Sequence, residues 1–234
     1  MNSIIENLRF LMLGTYPDGN IGGLALTLIL SGLIGIGSLL VGIVIAATTL
    51  SSSAALRKVA KVISIVIRGL PSLVFLFWLY FLLPAALHIE LTPLQSATIA
   101  LSIYHGAFIS EDIRGGLSSV NAGQWEAGRA TGLDPRRIFI CIALPQAIRA
   151  MIPALVNRYI NMLLYTSVAS VVGVFEFTQT AVVLSNRILV HPVEIFGFAA
   201  IVYLVLCSAI ARFGRYVESR WDWAPKLLKD SVAL

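Results

Sequence analysis

The residues best suited to chemistry lie in one polar stretch, Asn121 to Pro145, of a chain that is 58% hydrophobic overall. No Gly-Lys pair occurs anywhere, so the phosphate-binding G-x-x-x-x-G-K-[ST] loop is missing. Three scattered histidines and two distant cysteines, Cys141 and Cys207, match no metal or redox spacing. No G-x-S-x-G elbow supports a Ser-His-Asp enzyme. The sequence therefore predicts no catalytic residue, no metal site and no cofactor bound by this chain.

The local pattern of the polar stretch instead predicts two short helices joined at a corner. Asn121 with Gln124 three residues later forms a capping-box signal, and Gly132 stands where a helix stop favours a left-handed residue. Asp134-Pro135 then predicts an N-cap and first turn. We expect a first helix over Gln124–Gly132 and a second helix whose apolar run is closed by Pro145.

The elements that position this stretch are predicted to be membrane-spanning helices. Mean hydropathy is +0.87 and only 12% of residues are charged, which is typical of an all-α integral membrane protein. The net charge of +5 does not indicate nucleic-acid binding, because the basic residues recur between apolar spans. Five transmembrane helices are predicted, at about Gly22–Leu50, Val62–Leu87, Leu94–Ile113, Ala147–Val172 and Glu194–Phe213.

Finer features follow from single residues. Glycines and serines in the first span predict close contact with other spans, and Pro71 must break or kink the second. Phe175–Val193 is predicted to be a moderately polar connection that forms a re-entrant or surface helix. Residues 1–20 are expected to form an extracytoplasmic amphipathic segment with one apolar face, made of Ile4, Ile5, Leu8, Leu11 and Met12.

The distribution of basic residues predicts the orientation. With the Arg57 loop, the Arg129–Arg149 region and the C-terminal tail inside, only Arg9 and Arg187 remain outside. This places the N-terminus outside, a transmembrane domain over residues 21–220, the polar loop 121–145 in the cytoplasm and a cytoplasmic tail at 221–234.

Glu126-Ala127-Gly128, then Gly132, then Ile142-Ala143-Leu144-Pro145 resembles the EAA motif of ABC-importer permeases. The resemblance implies that the first helix of the loop is a coupling helix, which docks on a separate ATP-hydrolysing subunit. Gly128 departs from the alanine of the motif at a cost of about 1 kcal/mol in helix propensity. The residues implied in ATPase coupling are Gln124, Trp125, Glu126, Ala127, Gly128, Ala130 and Gly132.

The resemblance extends over about residues 20–220. Arg68-Gly69-Leu70-Pro71 is similar to the RGTP element of polar amino-acid permeases, and Gly106–Gly115 to their GAY-x-x-E-x-x-RG segment. It implies a type I importer permease of the histidine/glutamine/glutamate subfamily, in the bacterial inner membrane, importing a polar amino acid or a related solute such as an opine. The implied partners are an ATPase dimer that uses ATP and Mg, a second permease subunit (identical or paralogous), an extracytoplasmic solute-binding protein and membrane lipid.

Polar residues inside the spans are candidates for the substrate path, because such groups are costly in a bilayer. These candidates are Tyr104, His105, Tyr165, Thr166 and Ser167. A helix–helix hydrogen bond is the alternative for His105, and bonds to their own helix carbonyls are the alternative for Thr166 and Ser167. Arg68 and Glu111 are expected near the inner interface, snorkelling or paired. Leu164 and Tyr165 stand where many relatives carry charged or polar residues, which leaves the solute open.

Two other classes of protein stay open at this point. An ion-gradient-driven secondary transporter or channel would favour acidic groups within the spans, and these are nearly absent away from the span ends. A non-transporting membrane scaffold for the ATPase would need the loop but not the polar residues within the third and fourth spans.

Overall fold

The computed structural model describes residues 5–188 and 192–221, and these residues form a bundle of helices. Ile4, the connection 189–191 and the predicted tail beyond Trp221 lie outside the described residues. The α-helices are α1 (Leu8–Leu13), α2 (Gly23–Thr49), α3 (Ala54–Gly69), α4 (Ser72–Phe77), α5 (Leu83–Leu87), α6 (Pro93–Ser118), α7 (Ala122–Ala130), α8 (Pro135–Ile138), α9 (Leu144–Tyr165), α10 (Phe177–Ile188) and α11 (Pro192–Trp221). Two π-helical turns, Trp78–Leu82 and Phe139–Ala143, and one 3₁₀-helix, Thr166–Val172, join successive α-helices.

The centre of the bundle is the crossing of α2 and α6. A Cβ built on Gly42 would lie 2.6 Å from Cγ2 of Ile109, and one on Gly106 would lie 2.6 Å from Cγ1 of Val41. Small residues are required here because the two backbones approach too closely for larger ones. The prediction of close helix contact in the first span is confirmed.

The second predicted span is broken. α3 ends at Gly69, Leu70 is extended with ψ of 144°, and the helical segment that resumes at Ser72 is bent by 110° from α3. Pro71 explains the break, because proline drives the preceding residue out of the helical region and lacks a backbone donor. The predicted break or kink at Pro71 is confirmed, and the helix before it begins at Ala54 rather than at the predicted Val62.

Two helices are longer than predicted. Thr92 and Gln95 form a reciprocal capping box that starts α6 at Pro93, and the helix continues past its charged residues Glu111, Asp112 and Arg114 to Ser118. α11 runs from Pro192 to Trp221 rather than over Glu194–Phe213. The ends were missed because charged residues were taken as helix boundaries, although a helix can continue past the apolar part of a span.

Among the described residues, three helical segments are long and apolar enough to cross a membrane: Gly23–Thr49, Pro135–Val172 and Pro192–Arg220. The bent pair Ala54–Gly69 and Ser72–Leu87 makes a fourth if it is one span. α6 has 26 residues but carries polar side chains along its length, and it packs between α2 and α9. The predicted total of five spans remains a prediction.

The segment after the 3₁₀-helix is a helix of its own. α10 packs Phe177, Ala181 and Leu184 into a cluster with Leu11 of α1 and Ile195 of α11. Within the predicted N-terminal amphipathic segment, Leu11 is thus fully buried against the bundle, while Ile5 and Leu8 are exposed.

Candidate functional site

The polar loop folds as a helix, a corner and a second helix. Asn121 caps α7 by accepting a hydrogen bond from the backbone N–H of Gly123 at 2.8 Å. Gly132 follows α7 with φ of 77°, a left-handed conformation that glycine adopts without steric cost. Asp134 caps α8 through hydrogen bonds from the N–H groups of Arg136 (2.9 Å) and Arg137 (3.1 Å). The predicted corner and both predicted N-caps are present.

Two details of the loop differ from expectation. Gln124 does not complete the capping box; its Oε1 instead accepts from Nε2 of Gln146 at 3.4 Å, which links α7 to α9. Pro145 does not close the second helix but lies in the first turn of α9. The π-helical turn Phe139–Ala143 precedes it within the helical segment Pro135–Val172, so the proline lies where the π-helical turn passes into α9.

α7 has one buried face and one free face. Gly128 is buried, and a Cβ at this position would lie 2.9 Å from Cγ1 of Ile138, which is itself buried. Trp125 is half-buried, whereas Glu126, Ala127 and Ala130 are exposed. Gly128 thus replaces the alanine of the motif because Ile138 fills the space of a methyl group. Gly128 and Gly132 shape the loop, and the exposed residues form the surface open to a partner.

A second group of candidates meets inside the bundle. The ring centroids of His105 and Tyr165 are 5.1 Å apart, those of Tyr104 and His105 5.4 Å, and those of Tyr104 and Tyr165 6.2 Å. His105 is 2% exposed, and within the part of the chain that the structure describes neither of its ring nitrogens has a hydrogen-bond partner. A helix–helix hydrogen bond, the alternative considered for His105, is therefore not observed there. We call Tyr104, His105 and Tyr165 the aromatic cluster.

Thr166 and Ser167 are not part of this cluster of rings. The Thr166 hydroxyl donates to the carbonyl oxygen of Leu163, and the Ser167 hydroxyl donates to that of Leu164, both at 2.7 Å. Thr166 is fully buried and Ser167 is half-buried. Both hydroxyls satisfy backbone groups of the preceding turn, which is the alternative that the sequence left open.

Comparison with known proteins identifies the family of the chain that contains the polar loop and the aromatic cluster. Residues 38–223 match the family model described as the binding-protein-dependent transport system inner membrane component. The chain belongs to this family. The permease is 36% identical to the L-cystine transport system permease protein TcyB of Bacillus subtilis (strain 168), over 93% of this chain and 97% of that protein. It is 34% identical to the probable glutamine ABC transporter permease protein GlnM of the same organism, over 80% of this chain and 85% of that protein.

Solved structures agree with this assignment. An amino acid ABC transporter crystallised with histidines matches the permease with a TM-score of 0.79 and 30% identity, over 85% of this chain and 92% of that chain. The inward-facing MetNI methionine ABC transporter matches with a TM-score of 0.70 at 19% identity, which supports the fold alone. The family resemblance and the all-helical importer-permease fold expected from the sequence are confirmed.

The permease also has three ion pairs on the C-terminal half of α6. Nε and Nη2 of Arg158 donate to the two carboxylate oxygens of Asp112 at 3.0 and 3.3 Å, and the same guanidinium lies 4.7 Å from the Phe108 ring centroid. Glu111 accepts from Nη2 of Arg68 at 3.4 Å and also pairs with Arg114. The expected pairing of Arg68 and Glu111 is present. Asp112 was not singled out from the sequence, although its place beside Glu111 on a helix facing two arginine-bearing helices was a usable signal.

The carboxylate of Glu176 was missed entirely. Glu176 is fully buried and accepts from the Thr27 hydroxyl (3.2 Å), the Tyr203 hydroxyl (3.1 Å) and the backbone N–H of Gln179 (2.9 Å). Burial raises the pKa of this carboxyl, and its hydrogen bonds oppose the shift. The backbone N–H of Phe177 donates to the Thr27 hydroxyl at 2.9 Å. We call Thr27, Glu176 and Tyr203 the carboxylate junction; it joins α2, the start of α10 and α11.

The described residues hold no group of three or more histidines, cysteines, aspartates or glutamates placed to bind a metal ion. The permease thus offers, in this part of the chain, an exposed face on α7, an aromatic cluster between helices and a buried carboxylate junction.

Proposed function

We propose that this permease is the membrane subunit of an ABC importer that moves a polar amino acid, or a related small solute such as an opine, into the bacterial cytoplasm. The cystine and glutamine permeases named above align with 93% and 80% of its length, which favours this class of solute. Energy is supplied by a separate ATPase dimer that binds ATP and Mg, while this chain hydrolyses nothing itself.

The observation that carries the proposal is the free face of α7. Glu126, Ala127 and Ala130 are exposed together, and the helix is fixed beneath them by Ile138 and at its end by the turn at Gly132. A small, rigid face with one carboxylate suits insertion into a groove of a partner, because little entropy is lost on docking. ATPase closure moves two such helices, one from each of two permease subunits, and so changes which side of the path is open. The loop is assigned to the cytoplasm, with the N-terminus outside and the C-terminus inside.

The substrate path is assigned to the aromatic cluster. His105 offers two unused hydrogen-bonding nitrogens, and Tyr104 and Tyr165 place their rings against it. Such a group can accept a polar solute between apolar walls, since desolvated polar atoms gain most from a new partner. An extracytoplasmic binding protein delivers the solute. Tyr165→Phe and His105→Leu are expected to raise the apparent KM for uptake while leaving ATPase binding unchanged; loss of ATPase binding would indicate a structural role instead.

The experiment that tests the proposal is ATP-driven uptake in proteoliposomes. The permease is reconstituted with the ATPase and binding protein of the same genome, and labelled cystine, glutamine and histidine are offered in turn. We expect one of the three labelled amino acids to accumulate. Accumulation should require ATP on the side of the membrane that carries the ATPase. Glu126→Ala should weaken ATPase retention and uptake together, whereas Arg136→Ala, an exposed charge elsewhere on the same loop, should leave both unchanged.

Three results would contradict the proposal. Uptake driven by an ion gradient without ATP would favour a secondary transporter. ATPase retention without uptake of any small solute would favour a scaffold. ATP hydrolysis by the purified permease alone would make it an enzyme.

A further inference from the structure

α3 has three distinct faces. Ala60, Ser64 and Ile67 are buried toward the bundle, and the Ser64 hydroxyl donates to the carbonyl oxygen of Ala107 on α6 at 3.3 Å. A second face exposes aliphatic side chains at helical spacing, and about half of each side chain is accessible. These residues are Val59 (54%), Val62 (51%), Ile63 (47%) and Val66 (55%).

The third face is basic. Arg57, Lys61 and Arg68 follow one another at spacings of four and seven residues, and Lys58 lies at the edge of this face. Lys58 and Lys61 are exposed. Arg57 is used locally, since its Nη1 donates to the carbonyl oxygens of Ser51 (2.8 Å) and Ser52 (2.9 Å). The sequence has no acidic residue between Asp18 and Glu90, so nothing on α3 or next to it in sequence neutralises these charges.

Contacts with α6 show which way the basic face points. Ile67, on the buried face, packs in a cluster with Tyr104 and Ala107, while the next residue, Arg68, on the basic face, reaches Glu111 further toward the C-terminal end of α6. The basic face therefore points toward the C-terminal end of α6, which is followed by the polar loop 121–145 of the proposed function (the coupling loop). The aliphatic face lies on the opposite side of α3 from the basic face. It therefore points away from the C-terminal end of α6.

The length and direction of α3 are those of a helix that does not cross the bilayer. It has 16 residues, about 24 Å of helix, which falls short of the hydrocarbon thickness of about 30 Å. It is bent by 110° from the segment that follows, and that segment packs along α6 through Phe75 and Tyr104, whose ring centroids are 6.0 Å apart. α3 consequently lies across the bundle rather than along it.

We propose that α3 lies in the membrane interface on the coupling-loop side, with Val59, Val62, Ile63 and Val66 among acyl chains and Lys58 and Lys61 on the headgroups of anionic phospholipids. An apolar face opposite a basic face is the pattern of helices that lie in this plane. Anionic headgroups attract basic residues near the surface with about 1 kcal/mol each. These lipid contacts fix α3 at the membrane surface. The bend at Pro71 is then held between α3 and the segment Ser72–Leu87, which packs on α6.

The depth of α3 is tested with a single fluorescent label on the full chain. In a Cys141→Ser, Cys207→Ser background, the label is placed at Val62→Cys or, as the matched site on the basic face, at Lys61→Cys. The permease is reconstituted in nanodiscs of phosphatidylcholine with phosphatidylglycerol. We expect a nitroxide on the lipid acyl chain to quench the Val62 label more than iodide does, and the order to reverse at Lys61. Stronger iodide quenching at Val62, or a disulfide between two copies through Val62→Cys, would overturn the proposal, because water or a second permease would then cover this face.

The lipid preference is tested by native mass spectrometry of the same chain. Retention of phosphatidylglycerol over phosphatidylcholine should fall roughly fivefold for each lysine removed in Lys58→Gln, Lys61→Gln. Lys58→Arg, Lys61→Arg keeps both charges and should keep the preference. An unchanged preference in the glutamine variant would overturn the assignment. Neither readout requires transport, so this proposal can fail while the proposed function stands, and the reverse.

Discussion

The coupling loop and the carboxylate junction are both held by hydrogen bonds to a carboxylate or amide, but over very different distances in sequence. In the loop, Asp134 caps residues two and three positions away, and Asn121 a residue two positions away. At the junction, Glu176 joins Thr27, 149 residues away, and Tyr203, 27 residues away. The loop forms its own shape, whereas the junction exists only when three helices have already packed.

This difference separates two mechanical tasks. A segment that transmits motion to a partner should keep its shape while the rest of the molecule moves, and local caps achieve this. A joint that fixes helices relative to one another needs contacts between them. We therefore expect changes in the loop to alter partner binding with little loss of stability, and changes at the junction to alter stability first.

The largest effect is expected for Glu176→Ala. The substitution leaves the hydroxyls of Thr27 and Tyr203 and the N–H of Gln179 with one acceptor fewer, in a buried site. Each unsatisfied buried group costs about 1–3 kcal/mol, and the two hydroxyls can turn to other acceptors, so we expect a loss of roughly 3 kcal/mol of unfolding free energy. Thermal unfolding of the purified permease in detergent measures it.

Glu176→Gln is the matched control. Its amide oxygen can still accept from the hydroxyls, but its NH₂ group would face the N–H of Gln179, so an intermediate loss is expected. Equal unfolding temperatures for wild type and Glu176→Ala would show that the junction does not hold the helices together.

Next in size is Gly132→Val. A left-handed conformation costs a non-glycine residue roughly 1–2 kcal/mol, and a β-branched side chain resists it most. No atom lies within 4 Å of a Cβ built at this position, so the effect acts through the backbone alone. ATPase co-purification should fall, whereas Gly132→Asn should retain it because asparagine tolerates this conformation. ATPase recruitment that is unchanged by valine would count against the role of the corner.

Gly128→Ala should lower stability by a smaller amount, and this loss should depend on one neighbouring side chain, Ile138. Overpacking against Ile138 costs about 1–3 kcal/mol, and alanine returns about 1 kcal/mol of helix propensity, which leaves a net loss of roughly 1 kcal/mol. Ile138→Ala removes all three atoms that the new Cβ would meet. In the double variant the cost of Gly128→Ala should disappear, giving a coupling of at least about 0.5 kcal/mol in a double-mutant cycle of thermal unfolding. Additive losses would show that Ile138 is not the reason for glycine at this position.

How much the sequence could predict follows the same division. The corner at Gly132, the caps at Asn121 and Asp134 and the break at Pro71 depend on residues within a few positions of one another, so their patterns were readable. The family resemblance was readable for the same reason, because each of its motifs lies within one short stretch of the chain.

Features that depend on packing were not readable. Nothing local marks Glu176 as buried, because its partners come from α2 and α11. Gln124 bonds Gln146 rather than its own helix start, since the fold brings α9 beside α7. Tyr104, His105 and Tyr165 were each named from the sequence, but only the packing of α6 against α9 brings their rings together.

The smallest predicted effect compares two kinds of contact that Asp134 makes in the loop, its N-cap hydrogen bonds and its ion pair. Asp134 accepts hydrogen bonds from two backbone N–H groups and also pairs with Arg137, whose Nε lies 3.3 Å from Oδ2. Both side chains are largely exposed, so the ion pair should contribute no more than about 0.5 kcal/mol, whereas loss of an N-cap costs about 1 kcal/mol. Arg137→Ala should therefore leave the unfolding temperature and ATPase retention near wild type, and Asp134→Ala should lower both slightly. If Arg137→Ala were the more damaging of the two, charge rather than capping would hold the second helix of the loop, and the contrast with the carboxylate junction would lose its basis.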